Sequence, residues 1–382
     1  MEPSDADASL NVLLVHVWYW PHLGGGDQHV EHIARQLVKR GHKATVWCAD
    51  IPEHDEKQFV RDGVEVIRLP PKMVLAGIDP VVAIKKLNMD FDVVHLHDIL
   101  PILIRRSLKR AKKLKIPVVT TFHNDYIKTG ILAKSFKAIR WVMQGRRTLN
   151  TSDARIALTP YYANHLKQRG VRDPIDILPN GFEPVAEDPV RPALLPSDAD
   201  QHPIMVFVGR LSEQKGLDVL MDAWDKYCAS GSPNARLAIA GSGELNDWLD
   251  QRIADAEQPD SIHKLGRVED NEKRWLFENA KAVLLPSRFE GLPTVLLEAM
   301  NAGAPTVMSD VNDLGRLVTE PDAGLSIPPG DVNALLEAID TILKADEKQI
   351  THWSANGKEA SKPYLWSTIT EDLLQIYRRV KK

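Results

Sequence analysis

The sequence predicts a two-domain α/β protein in which each domain is a doubly wound parallel sheet. The 382 residues suit two domains, at about 150 residues per domain. Apolar strand-like runs alternate with helical patterns in both halves, and their near-continuous Val, Ile and Leu content is typical of parallel strands covered on both faces. A proline-rich, acidic segment without periodicity, residues 183–203, separates the halves and predicts a linker.

The strand-like runs have a consistent order along the chain. In the first domain, residues 1–182, they lie at residues 11–17, 43–49, 64–69, 93–97, 117–122 and 154–159. In the second domain, residues 204–362, they lie at residues 204–208, 236–241, 281–286 and 304–309. Residues 363–382 carry apolar residues at helical spacing, which predicts a last helix. Ligands of such sheets bind beyond the carboxyl ends of strands, so we expect a site in a cleft that the two domains face.

Composition favours a soluble globular protein. Net charge is −4, with 43% hydrophobic and 26% charged residues. No apolar run approaches the roughly 20 residues of a membrane helix, and the acidic start does not resemble a signal peptide. Cys48 and Cys228 lie far apart and form no disulfide or metal-binding pattern, so a reducing, cytoplasmic compartment is expected.

The positive charge is concentrated in residues 99–152, which hold thirteen Lys and Arg against one acid, Asp125. A helix near residues 132–143 would place apolar residues on one face and basic residues off it: Leu132, Phe136, Ile139 and Met143 against Lys134, Lys137 and Arg140. Such a helix can lie on an anionic membrane at its inner face, or pack on its own domain, and both interpretations stay open. Nucleic-acid binding is not expected, because no aromatic-interleaved RNA motif accompanies the charge.

Polar side chains follow two predicted strands of the second domain. In VGRLSEQKG, Arg210 and Lys215 offer a guanidinium fork and an ammonium that suit a diphosphate, although both could simply be solvated. In SRFEGLPTVLLEAM, Glu290 follows a strand, and Pro293 suits the first turn of a helix that carries Glu298. The start of this helix favours an anion, so carboxylates there would bind hydroxyls beside it.

Three glycine-bearing loops are weaker candidates. Residues 24–26, 239–244 and 265–270 could bring backbone close to a ligand, but the spacing of the glycines at 24–26 is not the dinucleotide-binding fingerprint. Arg267, in the last of these loops, could pair with a neighbouring acid instead of binding a ligand.

Three histidines stand on predicted strands of the first domain. His123 closes one strand in TTFHND and is either structural or catalytic. His95 and His97 lie two apart and share one face of a strand. Without a third ligand at a convincing spacing, they are predicted to be core or cleft-wall residues rather than a metal pair.

Taken together, these motifs resemble glycosyltransferase family 4, retaining enzymes of the GT-B fold. The resemblance rests on GRLSEQKG, IAGSGE, LGRVED and EGLPTVLLE, and in the first half on FDVVHLHD, PVVTTFHND and ILPNGFEP. Glu290 and Glu298 match the seven-residue-spaced glutamates of the family. The resemblance covers nearly the whole chain. It implies transfer of a hexose-type sugar from a nucleotide diphosphate sugar without metal or other cofactor, and a last helix that crosses back to the first domain.

The resemblance also implies roles for single residues. Arg210 and Lys215 would hold the donor diphosphate, Glu298 the ribose, and Glu290 the donor sugar with His123 beside it, so that His123, Arg210, Lys215 and Glu290 form the catalytic set. The other donor-side residues would be Gly25, Gly26, Gly209, Gly241, Gly243, Arg267, Val268, Gly291, Leu292, Pro293 and Thr294. The acceptor side would comprise His123, Gly24 and Asp27, and Asp27 stands where the family usually has glutamate.

The expected partners are a nucleotide sugar and a glycan or lipid-linked acceptor, with the basic segment 99–152 suited to an anionic membrane surface. Two alternatives stay open. One is a nucleotide-sugar-binding protein that does not catalyse, and the other is an epimerase or phosphorylase of the same fold. The donor base, the donor sugar and the acceptor depend on loop geometry, so the sequence does not specify them.

Overall fold

The computed structural model describes residues 8–21, 25–75, 79–84, 88–123, 141–231 and 234–382. The chain forms two compact units. The first unit consists of Met1–Gly181 together with Trp366–Lys382, and the second unit consists of Phe182–Leu365. The predicted α/β class, with two doubly wound sheets, is confirmed.

The first unit contains an eight-stranded sheet and a separate two-stranded one. Its strands are β1 Asn11–Val15, β2 Lys43–Ala49, β3 Gln58–Arg61, β4 Val64–Leu69, β5 Pro71–Leu75, β6 Asp79–Val82, β7 Val93–His97, β8 Val118–Phe122, β9 Ala154–Ala157 and β10 Asp176–Ile177. The large sheet has the order β10-β9-β8-β7-β1-β2-β4-β3 and is parallel except for the pairing of β3 with β4. Strands β5 and β6 form the antiparallel pair.

Helices cover both faces of this sheet. Successive residues of a strand point to opposite sides, so an apolar strand needs packing partners on both faces. The helices are α1 Gly25–Lys39, α2 Ile102–Lys113, α3 Arg146–Thr151 and α4 Pro160–Gln168, with a π-helical turn at Trp141–Gly145 before α3. Val12 and Leu14 of β1 pack in one apolar cluster, and Leu13 and Val15 pack in another on the opposite face. All four side chains are fully buried, which explains the unbroken apolar run in the sequence.

The second unit is built on a six-stranded parallel sheet. Its strands are β11 Ile204–Val208, β12 Arg236–Ala240, β13 Ile262–Gly266, β14 Ala280–Leu285, β15 Thr306–Ser309 and β16 Gly324–Ile327, in the order β13-β12-β11-β14-β15-β16. Its helices are α5 Leu217–Ala229, α6 Asn246–Ala254, α7 Asp270–Asn279, α8 Thr294–Ala302, α9 Arg316–Thr319, α10 Val332–Lys344 and α11 Glu347–Ser361. Met205 and Phe207 face one core cluster, and Ile204 and Val206 face the other.

The segment predicted as a linker packs on the second unit. Leu195 and Ala199 are buried and join the core cluster that contains Phe182. The last helix, α12, runs from Trp366 to Lys381 and belongs to the first unit. It buries a stripe of apolar side chains against the first sheet and α1, including Trp366, Ile369, Leu373, Leu374, Ile376 and Tyr377.

Each sheet has one place where the direction of winding reverses. In the first unit β1 lies between β7 and β2, and in the second unit β11 lies between β12 and β14. Connections on the two sides of such a point run to opposite faces, so a crevice opens at the carboxyl ends of these strands. The candidate residues of each unit are expected there.

Two features bear on membrane association: possible membrane-spanning helices and the predicted basic amphipathic helix. None of the helices in the described ranges is long and apolar enough to span a membrane. The predicted basic amphipathic helix lies mainly within residues 124–140, outside the described residues.

Candidate functional site

In the second unit, the loop after β11 approaches the loop after β14 at the level of the backbone. A 3₁₀ turn at Glu213–Lys215 leads into Gly216, which has φ +67° and directly precedes α5. A Cβ atom on Gly216 would lie 2.1 Å from the carbonyl oxygen of Pro286. Only glycine fits this position, because a side chain would meet backbone that cannot move aside.

Polar contacts fasten the same two loops together. Arg288 binds both carboxylate oxygens of Asp218, each at 2.5 Å, and its backbone N–H donates to the carbonyl of Gln214 at 2.8 Å. The Gln214 amide in turn donates to the carbonyl of Phe289 at 2.8 Å. The hydrogen bonds and charge of Arg288 hold the pKa of Asp218 below its usual value. These contacts fix the loop of Lys215 relative to the loop of Glu290.

Lys215 and Glu290 meet across these loops. The Lys215 Nζ atom lies 2.5 Å from Glu290 Oε1, and the Ser287 hydroxyl donates to the same oxygen at 2.7 Å. The amide of Asn312 donates to the backbone carbonyl of Glu290 at 2.9 Å. Glu290 is only 7% exposed, and no described residue donates to its second oxygen. The site therefore presents a cation and a fixed carboxylate oxygen side by side.

Glu298 lies one turn into the helix that follows this loop. Pro293 precedes α8, which begins at Thr294 and ends at Gly303 with φ +88°. The Nζ atom of Lys273, on α7, lies 2.9 Å from Glu298 Oε2. Burial alone would lower the pKa of Lys273, but the carboxylates of Glu298 and Asp270 raise it overall. The sequence reasoning missed Lys273, because no local spacing links α7 to α8.

The remaining donor-side residues of the second unit lie at the carboxyl ends of neighbouring strands. Gly241, after β12, has φ +144°, and its Cβ would lie 1.8 Å from the carbonyl oxygen of Gly209. Arg210 and Arg267 are exposed, and neither forms an ion pair with a described residue. The interpretation that Arg267 pairs with a neighbouring acid is therefore not supported within the described residues. The others are in the same loops, with Gly243 close to the Leu211 backbone, Leu292 buried, Val268 half-buried and Gly291 open.

In the first unit, five histidines gather where the winding reverses. His16 follows β1, His97 ends β7 and His123 follows β8, while His95 lies within β7 and His29 comes from α1. The ring centroids of His29 and His123 are 4.7 Å apart, those of His29 and His97 are 5.4 Å apart, and those of His97 and His123 are 5.5 Å apart. Four of the rings are buried and His123 is half-buried.

Two of these rings are fully engaged in hydrogen bonds. The Nδ1 and Nε2 atoms of His95 lie 2.7 Å from the Tyr377 hydroxyl and 2.8 Å from the Thr121 hydroxyl. The Nδ1 atom of His16 donates to the backbone carbonyl at the end of β7 at 2.9 Å, and its Nε2 atom lies 3.1 Å from Asp27 Oδ1. Both rings therefore have a structural role in holding the sheet edge.

The charge states of the rings follow from burial. It lowers the pKa of His95, His97 and His123 well below 6.5, and that of His29 to about 4. Burial also acts to lower the pKa of His16, but the hydrogen bond and charge of its carboxylate partner raise it overall. Burial thus favours the neutral form of four of the rings, whereas the Asp27 carboxylate favours the charged form of His16.

The predicted acceptor-side residues lie beside this cluster. Asp27, in the first turn of α1, is 3% exposed and directs its carboxylate to His16. A Cβ on Gly26 would lie 3.1 Å from His16 Nε2, and Gly25 begins α1. Gly24 lies outside the described residues. Asp27 is therefore buried and paired with His16, which its position in the sequence did not reveal.

Within the described part of the chain, His29, His97 and His123 form the one group whose ligand atoms could hold a metal ion. One ring nitrogen from each lies within 4.8 Å of the other two. The sequence interpretation found no third ligand for His97, because His29 comes from a distant helix. His95 and His97 are nonetheless fully buried, as predicted for core residues, and the fold brings α1 to the ends of β7 and β8.

Comparison with known proteins assigns both units. A family model described as Glycosyltransferase Family 4 matches residues 23–185, and one described as Glycosyl transferases group 1 matches residues 196–360. Glycogen synthase of Mycobacterium tuberculosis is 26% identical, covering 98% of this chain and 95% of that protein. Phosphatidyl-myo-inositol mannosyltransferase of Mycolicibacterium smegmatis is 28% identical, covering 94% and 90%. The structure of Anabaena HepE in complex with UDP-glucose has a TM-score of 0.71 at 19% identity, covering 96% and 99%, which shows a shared fold.

Replacing Gly216 by alanine is expected to destabilise the second unit by more than about 1 kcal/mol, because the new Cβ would meet the Pro286 carbonyl at a positive φ. Urea unfolding monitored by tryptophan fluorescence measures this. Gly291→Ala is the matched control, since nothing lies within 4 Å of its Cβ position. Equal stability of the two variants would contradict the close approach of the loops.

Proposed function

The chain belongs to glycosyltransferase family 4 and has the GT-B fold, and from that premise we propose that it transfers a hexose-type sugar from a nucleotide diphosphate sugar to an acceptor hydroxyl. The observation that carries the proposal is the pairing of Lys215 with the buried Glu290 beside the start of α8. Leaving-group stabilisation needs a cation, and sugar binding needs acceptors for hydroxyl protons. Both occur here within one hydrogen bond of each other.

The diphosphate would bind to Arg210, Lys215 and the first turn of α8. The exposed guanidinium of Arg210 can form two parallel hydrogen bonds with phosphate oxygens. The free N–H groups at the start of α8 add a positive dipole end. Preorganised donors of this kind each contribute about 3 to 4 kcal/mol to a transition state in which charge builds on the leaving group.

The hydroxyl groups of the donor would bind to the two glutamates. Glu290 presents an oxygen that no described residue occupies, next to the backbone of residues 291–294. Glu298 would accept from the ribose, and Lys273 is a positioning residue that holds its carboxylate. The loops that carry Gly241, Gly243, Arg267 and Val268 would flank the base, in accord with their places at the ends of β12 and β13.

We propose that transfer retains the anomeric configuration and needs no metal at the diphosphate. The bond from C1 to the diphosphate oxygen breaks, and the acceptor oxygen bonds to C1 on the same face. The acceptor proton passes to an oxygen of the departing diphosphate. Arg210 and Lys215 supply the charge that a metal supplies elsewhere, and Glu290 binds hydroxyls instead of attacking C1 as in two-carboxylate hydrolases.

For the acceptor, we propose an anionic, lipid-linked molecule. The exposed face of α2 carries Arg105, Lys109 and Lys113 four residues apart, with the exposed Leu114 after them. The relative from Mycolicibacterium smegmatis is named for transfer to a phosphatidylinositol, which fits such a surface. A soluble glycan acceptor is the second candidate, as the name of the glycogen synthase relative suggests.

A thermal-shift screen without added metal, using UDP, GDP, ADP and their common sugar conjugates, tests the donor site. One nucleotide is expected to raise the melting temperature, because it binds only the folded protein. Glu298→Ala should reduce that shift, since it removes the ribose contact, whereas the exposed Glu337→Ala should retain it. If no nucleotide raises the melting temperature, the proposal that this chain binds the donor by itself is contradicted.

Lys215→Ala is expected to lower kcat/KM for release of the nucleotide by about a hundredfold or more, because the leaving diphosphate loses a preorganised donor. The assay uses the donor found in the screen with a panel of glycan and lipid acceptors. Lys226→Ala, which removes an exposed cation bound to Asn333, is the matched control. Unchanged kinetics in Lys215→Ala would rule out its role.

Co-sedimentation with vesicles tests the anionic acceptor surface. The chain is expected to sediment with phosphatidylglycerol-containing vesicles at low salt, to be released at high salt, and to ignore neutral vesicles. Replacing Arg105, Lys109 and Lys113 by glutamate should abolish binding. The same charge change at Lys344, Lys348 and Lys358 of the second unit should not, and equal loss in both triple variants would contradict a surface on α2.

A further inference from the structure

The loop after β15 reaches the loop that carries Glu290. The half-buried side-chain amide of Asn312 donates to the backbone carbonyl of Glu290 at 2.9 Å. The NH2 group of the amide faces this carbonyl, because a carbonyl oxygen accepts and does not donate. In the sheet order β11-β14-β15, Glu290 follows the middle strand. Its loop is therefore held by Asn312 from the side of β15, as it is held by Gln214 from the side of β11.

Asn312 has a backbone conformation that few side chains tolerate. Its φ is +55°, and Asp313 follows with φ +61°. Both values lie in the left-handed region, which is strained for residues with a Cβ, although Asn and Asp enter it more readily than other side chains. Glycine would adopt the same angles with less strain, but it could not donate to the Glu290 carbonyl. The side chain of Asn312 thus makes a contact that the turn alone does not require.

The loop that presents this amide is itself fixed to the sheet. The backbone N–H of Asp310 donates to the Ile327 carbonyl of β16 at 2.8 Å, and the Asp310 carboxylate accepts from the Gly315 N–H at 3.0 Å. A Cβ on Gly315 would lie 2.2 Å from the Ser326 hydroxyl oxygen, so the loop packs closely on β16. Leu314 is buried in the apolar core. The amide is therefore held in place before any ligand binds.

The hydrogen bond from Asn312 determines which way the next peptide N–H points. The peptide between Glu290 and Gly291 is trans, so its C=O and N–H point in opposite directions. Because the carbonyl points to the loop after β15, the N–H of Gly291 points away from that loop, and it donates to no described residue. A sugar hydroxyl both donates and accepts. The second carboxylate oxygen of Glu290 and the N–H of Gly291 are an acceptor and a donor for such a group.

We infer that Asn312 is a positioning residue for the donor sugar. It fixes the peptide between Glu290 and Gly291, and through this peptide it sets the carboxylate and the N–H that would bind a sugar hydroxyl. The inference rests on the proposed donor site and adds a third loop to its sugar half. The nucleotide half depends on other elements, since Glu298 lies on α8 and is held from α7. Loss of the amide is therefore expected to affect the sugar and not the nucleotide.

The first test needs no ligand and uses the full chain. Asn312→Gly keeps the left-handed backbone but removes the amide, and Asn312→Asp keeps the shape of the side chain but replaces the NH2 donor by an acceptor. In both variants, hydrogen exchange of residues 287–293 should be about fivefold faster than in the parent chain, because the loop loses one hydrogen bond. Asp313→Gly changes the neighbouring left-handed residue and is the matched control. Exchange at the parent rate in both Asn312 variants would overturn the inference.

The second test separates the sugar from the nucleotide, using the nucleotide that stabilises the parent chain in the thermal-shift screen. Asn312→Gly should bind this nucleoside diphosphate as the parent does, but kcat/KM for nucleotide release from its sugar conjugate should fall at least about tenfold. Asp313→Gly should retain both. A general loss of structure would weaken both, and melting of each variant shows whether it folds.

The two tests fail in different ways. Unchanged kcat/KM in folded Asn312→Gly would overturn the positioning role while the proposed transfer stands. A parent chain that binds no nucleotide would contradict the proposed donor site instead, and hydrogen exchange would still decide whether Asn312 holds the loop of Glu290.

Discussion

The backbone approach of the loop after β11 to the loop after β14 is the constraint on which the second unit's site depends. Gly216 makes it sterically possible, and the contacts of Arg288 with Asp218 and Gln214 hold it. Without this approach the Lys215 ammonium would not reach the Glu290 carboxylate, because the two residues are 75 positions apart in the chain. A diphosphate and a sugar are adjacent parts of one donor, so cation and carboxylate must be adjacent as well. The packing of two loops thus determines the chemistry that the site can perform.

The first unit uses the same topology for different chemistry. Its carboxyl edge also lies where the winding reverses, but the side chains that meet there are imidazoles. The last helix also contacts this group of rings, because the Tyr377 hydroxyl forms a hydrogen bond with His95 in the middle of β7. Burial keeps most of these rings uncharged, whereas the second unit pairs its charges. One sheet edge therefore suits an anion with hydroxyls, and the other presents buried, mostly uncharged rings.

Strands inside the sheets were predictable, and strands at their edges were not. All ten predicted runs appear as strands, because an inner strand is covered on both faces and reads as an unbroken apolar run. The missed strands β3, β10, β13 and β16 are the four outermost strands of the two large sheets. They are partly exposed, and β13 contains His263 and Lys264, so their apolar signal is weak. The short β5–β6 pair was missed for the same reason, since most of β5 is exposed.

The sequence by itself determined the alternation of strands and helices, the order of the motifs, and hence the fold, the family and the loops that carry Arg210, Lys215, Glu290 and Glu298. These features depend on local periodicity and short-range spacing, which a sequence displays directly. Only the tertiary structure decided that Lys273 holds Glu298, that Asp27 is bound to His16, and that His29 lies beside His97 and His123. Such meetings depend on strand order and on how helices lie across a sheet. Residues that are distant in the chain become neighbours only when the sheet forms.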